Sequence, residues 1–424
     1  MYKIYFKQAL QMLKENMFIS MISIAGTALA IMMIMIIFIA DEIKTVDVAP
    51  EINRSRTLYV FREVREHSEN GAIMMGSLSY RIAKYLLDMK TPEYISMIVI
   101  FDRGLQWGIS NINVEGSTDY YPALTKSVDP NYWRIMSFRF VEGRPFTEEE
   151  FESGVKVAVI KESFAKTIFK GEPALGKIIE YKFENYRIIG VVKDVSQVFR
   201  EAEAEIWMPY KSNQSWENNA FEIMFVAKDK KDFPAIRDEL KECAKKYDAD
   251  NAPWKLFIPG PFTIRESERG NMLGGANEEV VNSQLKARNR KIMFTFIILL
   301  LIPALNLSGF SMSRIKKRVS EIGIRKAFGA KRSAILVQVL YENLITSLIG
   351  GAIGFVLSIV TVIWLQSWLL GISAGLDIPF RTYMSWQTLF AVTVVCIALN
   401  LLSAGLPAYR ASKMQIVDSL NQKR

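Results

Sequence analysis

Histidine and cysteine are scarce in this chain: His67 stands alone, and Cys243 and Cys396 are the only thiols among 424 residues. A single histidine with no carboxylate set at ligand spacing argues against a metal centre. Between Glu66 and Ser68 it reads as a surface residue. The cysteines fall in different surroundings, Cys243 in a mixed polar region and Cys396 inside an apolar run, so no disulfide framework is expected. No nucleophile and base stand at a readable spacing. Glu148, Glu149 and Glu150 are paired carboxylates, but they follow Thr147 as the acids of a helix start follow their cap. Catalytic, cofactor and metal sites are therefore not expected in this chain.

Gly171-Glu172-Pro173-Ala174-Leu175-Gly176-Lys177-Ile178 comes within one residue of a phosphate-binding loop. Ile178 lacks the hydroxyl that would hold magnesium, and the segment leaves a predicted helix to enter a predicted strand, the reverse of the required order. ATP hydrolysis by this chain is not expected. The formal net charge of +9 would suit nucleic acid, yet the excess cations cluster beside apolar runs instead of alternating with aromatics. Nucleic acid is not an expected partner.

Charge is missing from long stretches. Residues 17–40 carry none, and as a helix they would reach about 36 Å, enough to cross a bilayer core. Residues 292–313, 335–365 with a polar lead-in, and 389–407 are the other three runs, so four transmembrane helices are predicted. Lys3, Lys7 and Lys14 in residues 1–16 precede the first run, and Asp41 and Glu42 follow it. That arrangement resembles a signal peptide, but apolar residues continue well past Ala28-Leu29-Ala30, so an uncleaved anchor is expected.

The loop at residues 314–334 carries Arg314, Lys316, Lys317, Arg318, Arg325, Lys326, Lys331 and Arg332 against one acid, Glu321. The loop at 366–388 has a single basic residue, Arg381, and Trp364, Trp368, Tyr383 and Trp386 lie at the run ends. Positive charge marks the cytoplasmic side, which puts the basic loop, the N-terminus and the tail at 408–424 inside and the large domain outside. Lys286, Arg288, Arg290 and Lys291 lie on the external side, where long translocated segments tolerate them. Inside the runs, Gly26 and Ala30 share small-xxx-small spacing. Gly350, Gly351 and Gly354 are likewise expected to let helices approach, while Pro303, Asn306 and Asn400 are expected to face other helices.

Residues 41–276 form the large insertion, an α+β domain. Strands are predicted at 58–61 and 94–101 around a helix at 80–87, and at 221–227 and 254–258 around a helix at 233–247. These are two β-α-β units flanking an inserted, strand-rich subdomain at about 140–220. Gly171-Glu172-Pro173 and Glu184-Asn185 read as its turns. Residues 277–291 are polar and helix-forming and run into the second apolar stretch, as a stalk helix would; a flexible charged linker is the alternative. Gly270 to Gly275, just upstream, read as mobile.

In the basic loop, Ser320-Glu321-Ile322-Gly323-Ile324-Arg325-Lys326-Ala327-Phe328-Gly329-Ala330 forms a short helix with two apolar faces. Ile315, Val319 and Ile322 make one, Ile324 and Phe328 the other, and Gly329 stops the helix. The alternatives are a helix lying on anionic membrane lipid and a helix docked on a partner; two faces to bury favour the partner.

Glu321 to Ala330, followed by Glu342, Gly350-Gly351 and Gly354, resembles the C-terminal core of the MacB/FtsX-like ABC transporter permeases. The tail Leu406-Pro407-Ala408-Tyr409-Arg410-Ala411-Ser412-Lys413 is similar to theirs. Upstream, Val128-Asp129-Pro130-Asn131-Tyr132-Trp133, Glu142-Gly143-Arg144-Pro145-Phe146, Val157-Ala158-Val159-Ile160 and Ile188-Ile189-Gly190-Val191-Val192 resemble that family's MacB-type periplasmic core. The resemblance implies an inner-membrane protein whose β-α-β units are porter-like and whose insertion is sabre-like. It implies a homodimer or a pair with a paralogous permease, driven by cytoplasmic ABC ATPase subunits that hold ATP and magnesium. Glu321, Ile322, Gly323, Ile324, Arg325, Lys326, Ala327, Phe328, Gly329 and Ala330 would be the coupling helix received by the ATPase. A periplasmic adaptor and an outer-membrane duct are further partners to expect. Only residues 1–16 precede the first span, so the ATPase is expected to be a separate chain. The expected role is mechanotransmission, expelling or relocating a hydrophobic, peptide or lipid-linked substrate. The alternative is a signalling subunit that activates a cell-wall hydrolase or sensor and transports nothing.

Overall fold

The computed structural model describes residues 17–43, 45–99, 109–115, 118–268, 278–317, 319–370 and 380–413. The N-terminal segment at 1–16, the glycine-rich stretch at 270–275, Asn277, residues 371–379 of the loop between the last two apolar runs and the end of the tail lie outside these residues. So do the side chains of Pro303, Asn306, Arg314, Lys317 and Arg381. The chain divides into a helical unit, Met1–Ile43 with Asn289–Leu369 and Pro379–Arg424, and a sheet-bearing unit, Lys44–Arg288 with Leu370–Ile378.

In the helical unit, Ser20–Ile43, Arg332–Trp364 and Trp386–Arg410 are each long and apolar enough to cross a membrane. The second apolar run lies within Glu278–Lys317, one helix of 40 residues. Helix Arg332–Trp364 packs against both Met17–Ile43 and Trp386–Lys413, and its glycines are the reason it can. A β-carbon at Gly350 would stand 2.8 Å from the Thr27 β-carbon; at Gly354 it would strike the Ala28 carbonyl oxygen, and at Gly351 the Cys396 sulfur. Ala30 is buried. Gly26 is different, because a β-carbon there would meet Leu307 at an ordinary 3.6 Å. Two buried polar groups in these helices bond to backbone, where hydrocarbon would offer them no partner: Thr27 donates to the Ser23 carbonyl and Asn400 Nδ2 to the Leu340 carbonyl.

The other unit holds one continuous sheet of 14 strands among the described residues. Thr57–Val60 and Tyr94–Val99 run antiparallel to Ala220–Val226, one on each side of it. The first strand of the second β-α-β unit is thus threaded between the two strands of the first. Helices Tyr80–Leu87 and Phe233–Asp250 pack together, with Tyr85 edge-on to Tyr247. The last strand of the second unit, Trp254–Phe257, pairs instead with a hairpin, Arg62–His67 and Ile73–Ser79. That hairpin was not foreseen: its second strand exposes Ile73, Met74 and Met75 and lacks the alternation of a half-buried strand.

Strand Tyr120–Val128 pairs with Tyr94–Val99, Ile109–Val114 and Ile206–Pro209, so the sheet runs on into the middle section without a break. A second apolar core around Ile160, Ile179 and Met208 takes in Ile112 and Ala123, well before residue 140. The hairpin turn of this section is Lys182-Phe183, not Glu184-Asn185. Both residues have positive φ, 51° and 64°, as a two-residue turn between twisted strands requires, and residues 184–192 are all strand.

Local chemistry accounts for the family-like motifs. Asp129 caps the short helix Pro130–Ile135 by accepting from the Tyr132 amide, and also accepts from Ser96 Oγ and the Met97 amide. Tyr132 and Trp207 are bonded to each other inside the main core. Thr147 and Glu150 form a reciprocal capping box at the start of Glu148–Glu152, and Arg144 pairs with Glu150.

Candidate functional site

The chemically suggestive residues of the sheet-bearing unit are spent on structure. Lys177, the lysine of the loop that resembles a phosphate site, pairs with Glu172 at 2.6 Å and lies over the Phe169 ring. Its loop leaves a helix and enters a strand. His67 is half-buried, more than its sequence neighbours suggest, because Trp254 on the adjoining strand packs edge-on against it. Cys243 is buried in the main core, and burial pushes its thiol pKa up. No group of three potential metal ligands occurs among the described residues.

The basic segment of the helical unit is different. Val319–Ala327 is a helix, and its end is built by Gly329, whose φ of 88° lies in the left-handed region. The Ala330 amide donates to the Arg325 carbonyl and the Gly329 amide to the Lys326 carbonyl, both at 3.0 Å, which satisfies carbonyls the helix leaves open. Of the two apolar faces, one is turned onto the chain itself. Val319 and Gly323 are buried, and Ile322 packs against a small core of Ile315, Val339 and Ala408. The other is outside: Ile324 is 49% exposed and Phe328 89%.

Polar contacts fix the helix on its inner side. Lys326 Nζ donates to the Ser412 carbonyl at 2.8 Å. Burial, with Arg332 nearby, lowers the lysine pKa. Arg325 Nη1 donates to Gln338 Oε1 at 2.6 Å, and Gln338 Nε2 donates to Glu342 Oε1 at 2.9 Å. Ser311 on helix Glu278–Lys317 donates to Asn343 Oδ1 at 3.1 Å. Ser311, Glu321, Arg325, Gln338, Glu342 and Asn343 line a cavity of about 30 Å³, large enough for one water.

The predicted helix residues thus divide by role. Ile324, Ala327, Phe328 and Gly329 face outward, and Glu321 is exposed while also bordering the cavity; Ile322, Gly323, Arg325 and Lys326 hold the helix, and Ala330 closes it. The packing residues Gly350, Gly351 and Gly354 lie further along Arg332–Trp364, away from this surface. Gln338, Ser311 and Ser412 were not foreseen. The available signal was the spacing of Gln338 and Glu342, which places them one turn apart on a helix.

Residues 20–242 match the MacB-like periplasmic core domain, and residues 293–416 match the FtsX-like permease C-terminal domain. Neither matched segment is an ATPase domain. YknZ of Bacillus subtilis, an uncharacterized ABC transporter permease, is 25% identical over 309 residues, covering 70% of each chain. The macrolide export ATP-binding/permease protein MacB of Shigella boydii is 23% identical over 341 residues, covering 78% of this chain and 47% of that protein. The chain therefore spans about half the length of the MacB relatives it matches. Among solved structures, the periplasmic region of MacB from Actinobacillus actinomycetemcomitans aligns with 53% of this chain and 95% of that one, at 16% identity and a TM-score of 0.37. With its two domains matched in order, this chain belongs to the family of ABC transporter permeases that carry a MacB-like periplasmic core domain and an FtsX-like permease domain.

Proposed function

We propose that this chain is the permease subunit of an ABC-type export or mechanotransmission complex. A separate cytoplasmic ATPase, holding ATP and magnesium, receives the helix Val319–Ala327 in an apolar groove. The subunit works as a homodimer or beside a paralogous permease. It spans the inner membrane four times with both termini in the cytoplasm, and moves its external domain to expel or relocate a hydrophobic, peptide or lipid-linked substrate. The unbroken helix Glu278–Lys317 supports a stiff stalk leading into the second span.

The observation that carries this reading is the division of one short helix into a buried face and a presented one. One apolar face of the helix is already spent on the chain's own core. Ile324 and Phe328 remain as an exposed apolar anchor, with the exposed cations Lys331 and Arg332 following closely in the chain. Phe328→Asp should leave membrane insertion intact and reduce copurification of the ATPase subunit by about tenfold or more. Unchanged copurification would overturn the docking assignment.

A further inference from the structure

Gln338 occupies a position that few side chains fit. On one side lies Arg325, whose guanidinium only donates; on the other lies Glu342, whose carboxylate only accepts when ionised. The amide of Gln338 presents an oxygen to the first and an NH₂ to the second, at 2.6 and 2.9 Å. Chemistry alone fixes which way this amide points. Leucine at 338 would break both bonds, lysine would face Arg325 with like charge, and glutamate would set two carboxylates one turn apart.

The bridge joins two elements of different character. Arg325 is on the short helix that presents Ile324 and Phe328. Glu342 is buried in the apolar helix Arg332–Trp364, where an ionisable side chain is costly unless it is paired. Beside it, Asn343 accepts from Ser311 of helix Glu278–Lys317. Two turns beyond, Gly350 meets the first apolar helix at Thr27. A rotation of the short helix therefore has a hydrogen-bonded path into the packed helices.

We propose that Gln338 is the positioning residue of the short helix, locking its orientation to the membrane helix through a donor–acceptor relay from Arg325 to Glu342. The proposal rests on the docking reading for its consequence, transmission of ATPase motion, while the relay itself is testable on this chain alone.

The experiment is amide hydrogen exchange on the purified full chain in lipid nanodiscs. Gln338→Leu is expected to speed exchange of the amides at residues 323–330 by about tenfold or more while those at 348–360 keep their protection. Gln338→Glu keeps the bond from Arg325 but sets its carboxylate against that of Glu342, so exchange should rise less than in Gln338→Leu. The reciprocal variant Gln338→Glu with Glu342→Gln restores the pattern, since the side chain at 338 then accepts from both neighbours, and its exchange should return to within about threefold of wild type. Wild-type exchange in Gln338→Leu, or no improvement of Gln338→Glu by Glu342→Gln, would overturn the proposal. Should Gln338→Leu lose protection throughout, Gln338→Glu, alone and combined with Glu342→Gln, decides.

A second readout is ATP hydrolysis by the complex that copurifies with the wild-type chain. Gln338→Leu should keep the ATPase bound, since Phe328 is untouched, but lose the permease-dependent change in hydrolysis rate, and the reciprocal variant should regain it. If Phe328→Asp leaves copurification unchanged while the exchange results hold, the docking reading fails and the positioning role stands.

Discussion

Gly354 stands against the carbonyl oxygen of Ala28, on the neighbouring apolar helix, closely enough that a β-carbon at 354 would collide with it. The obstacle is backbone, which cannot rotate aside as a side chain can. Gly354→Ala should therefore cost about 1–3 kcal/mol and lower the melting temperature of the purified chain in detergent. Gly26→Ala is the control: its nearest neighbour would be Leu307 at 3.6 Å, so it should melt as wild type does. Equal melting of the two variants would show that the contact at Ala28 does not limit the packing.

A second prediction concerns the sheet-bearing unit. Arg54 and Glu51 form a buried pair, with side chains 0% and 2% exposed. Arg54 also donates to the Val198 carbonyl, and Glu51 accepts from the amides of Glu201 and Ala202 at 2.8 and 2.9 Å. Arg54→Met would leave the carboxylate of Glu51 buried without its cation, at a cost of about 3–5 kcal/mol. Cys243, buried in the same core, supplies the readout. Its alkylation by a maleimide, followed by mass spectrometry of its peptide, should need clearly less urea in the variant. An unmoved urea midpoint would remove the pair from the account of this core.

Much of this was legible beforehand because it is local. The apolar run at residues 17–40 needs only length, Thr147 with Glu150 needs only three-residue spacing, and Gly329 needs only a place after the last helical turn. What stayed hidden was non-local. The threading of Ala220–Val226 between two strands more than a hundred residues away is set by pairing, which no segment's own pattern encodes. Turn position also escaped. Lys182-Phe183 carries no glycine or asparagine, so its left-handed pair looked like strand, and the polar Glu184-Asn185 next to it drew the assignment. The site followed the same rule: Ile324 and Phe328 were visible on one helix, but Gln338 matters only because folding brings Arg325 to it.

Asp129 gives a prediction in pH. Burial pushes its pKa up to about 6, against the bonds from Met97, Ser96 and Tyr132 that hold it down. The folded chain thus keeps this proton where the unfolded chain has lost it. Between about pH 4 and pH 6 the group's contribution to stability falls as pH rises, by about 3 kcal/mol in all, and then levels off. Asp129→Asn cannot titrate, so the fall in melting temperature between pH 4.5 and 7 should be smaller in the variant than in wild type. Identical slopes would mean that Asp129 does not keep its proton on folding.

The stop at Gly329 isolates a conformational effect from a packing one. A β-carbon at this position would meet nothing within 4 Å, so alanine has room; what it lacks is easy access to a φ of 88°. Gly329→Ala should therefore cost about 1 kcal/mol, which frays the last turn and speeds amide exchange at Gly329 and Ala330 roughly fivefold. Asparagine visits the left-handed region more readily, so Gly329→Asn should lie between alanine and wild type. Phe328 sits at the frayed turn, so under the proposed docking the copurification of the ATPase subunit should fall in the same order: glycine, asparagine, alanine. If alanine exchanges and copurifies like wild type, the left-handed residue is not what holds Phe328 in place, and the anchor must be set by the inner contacts of Ile322 and Lys326 alone.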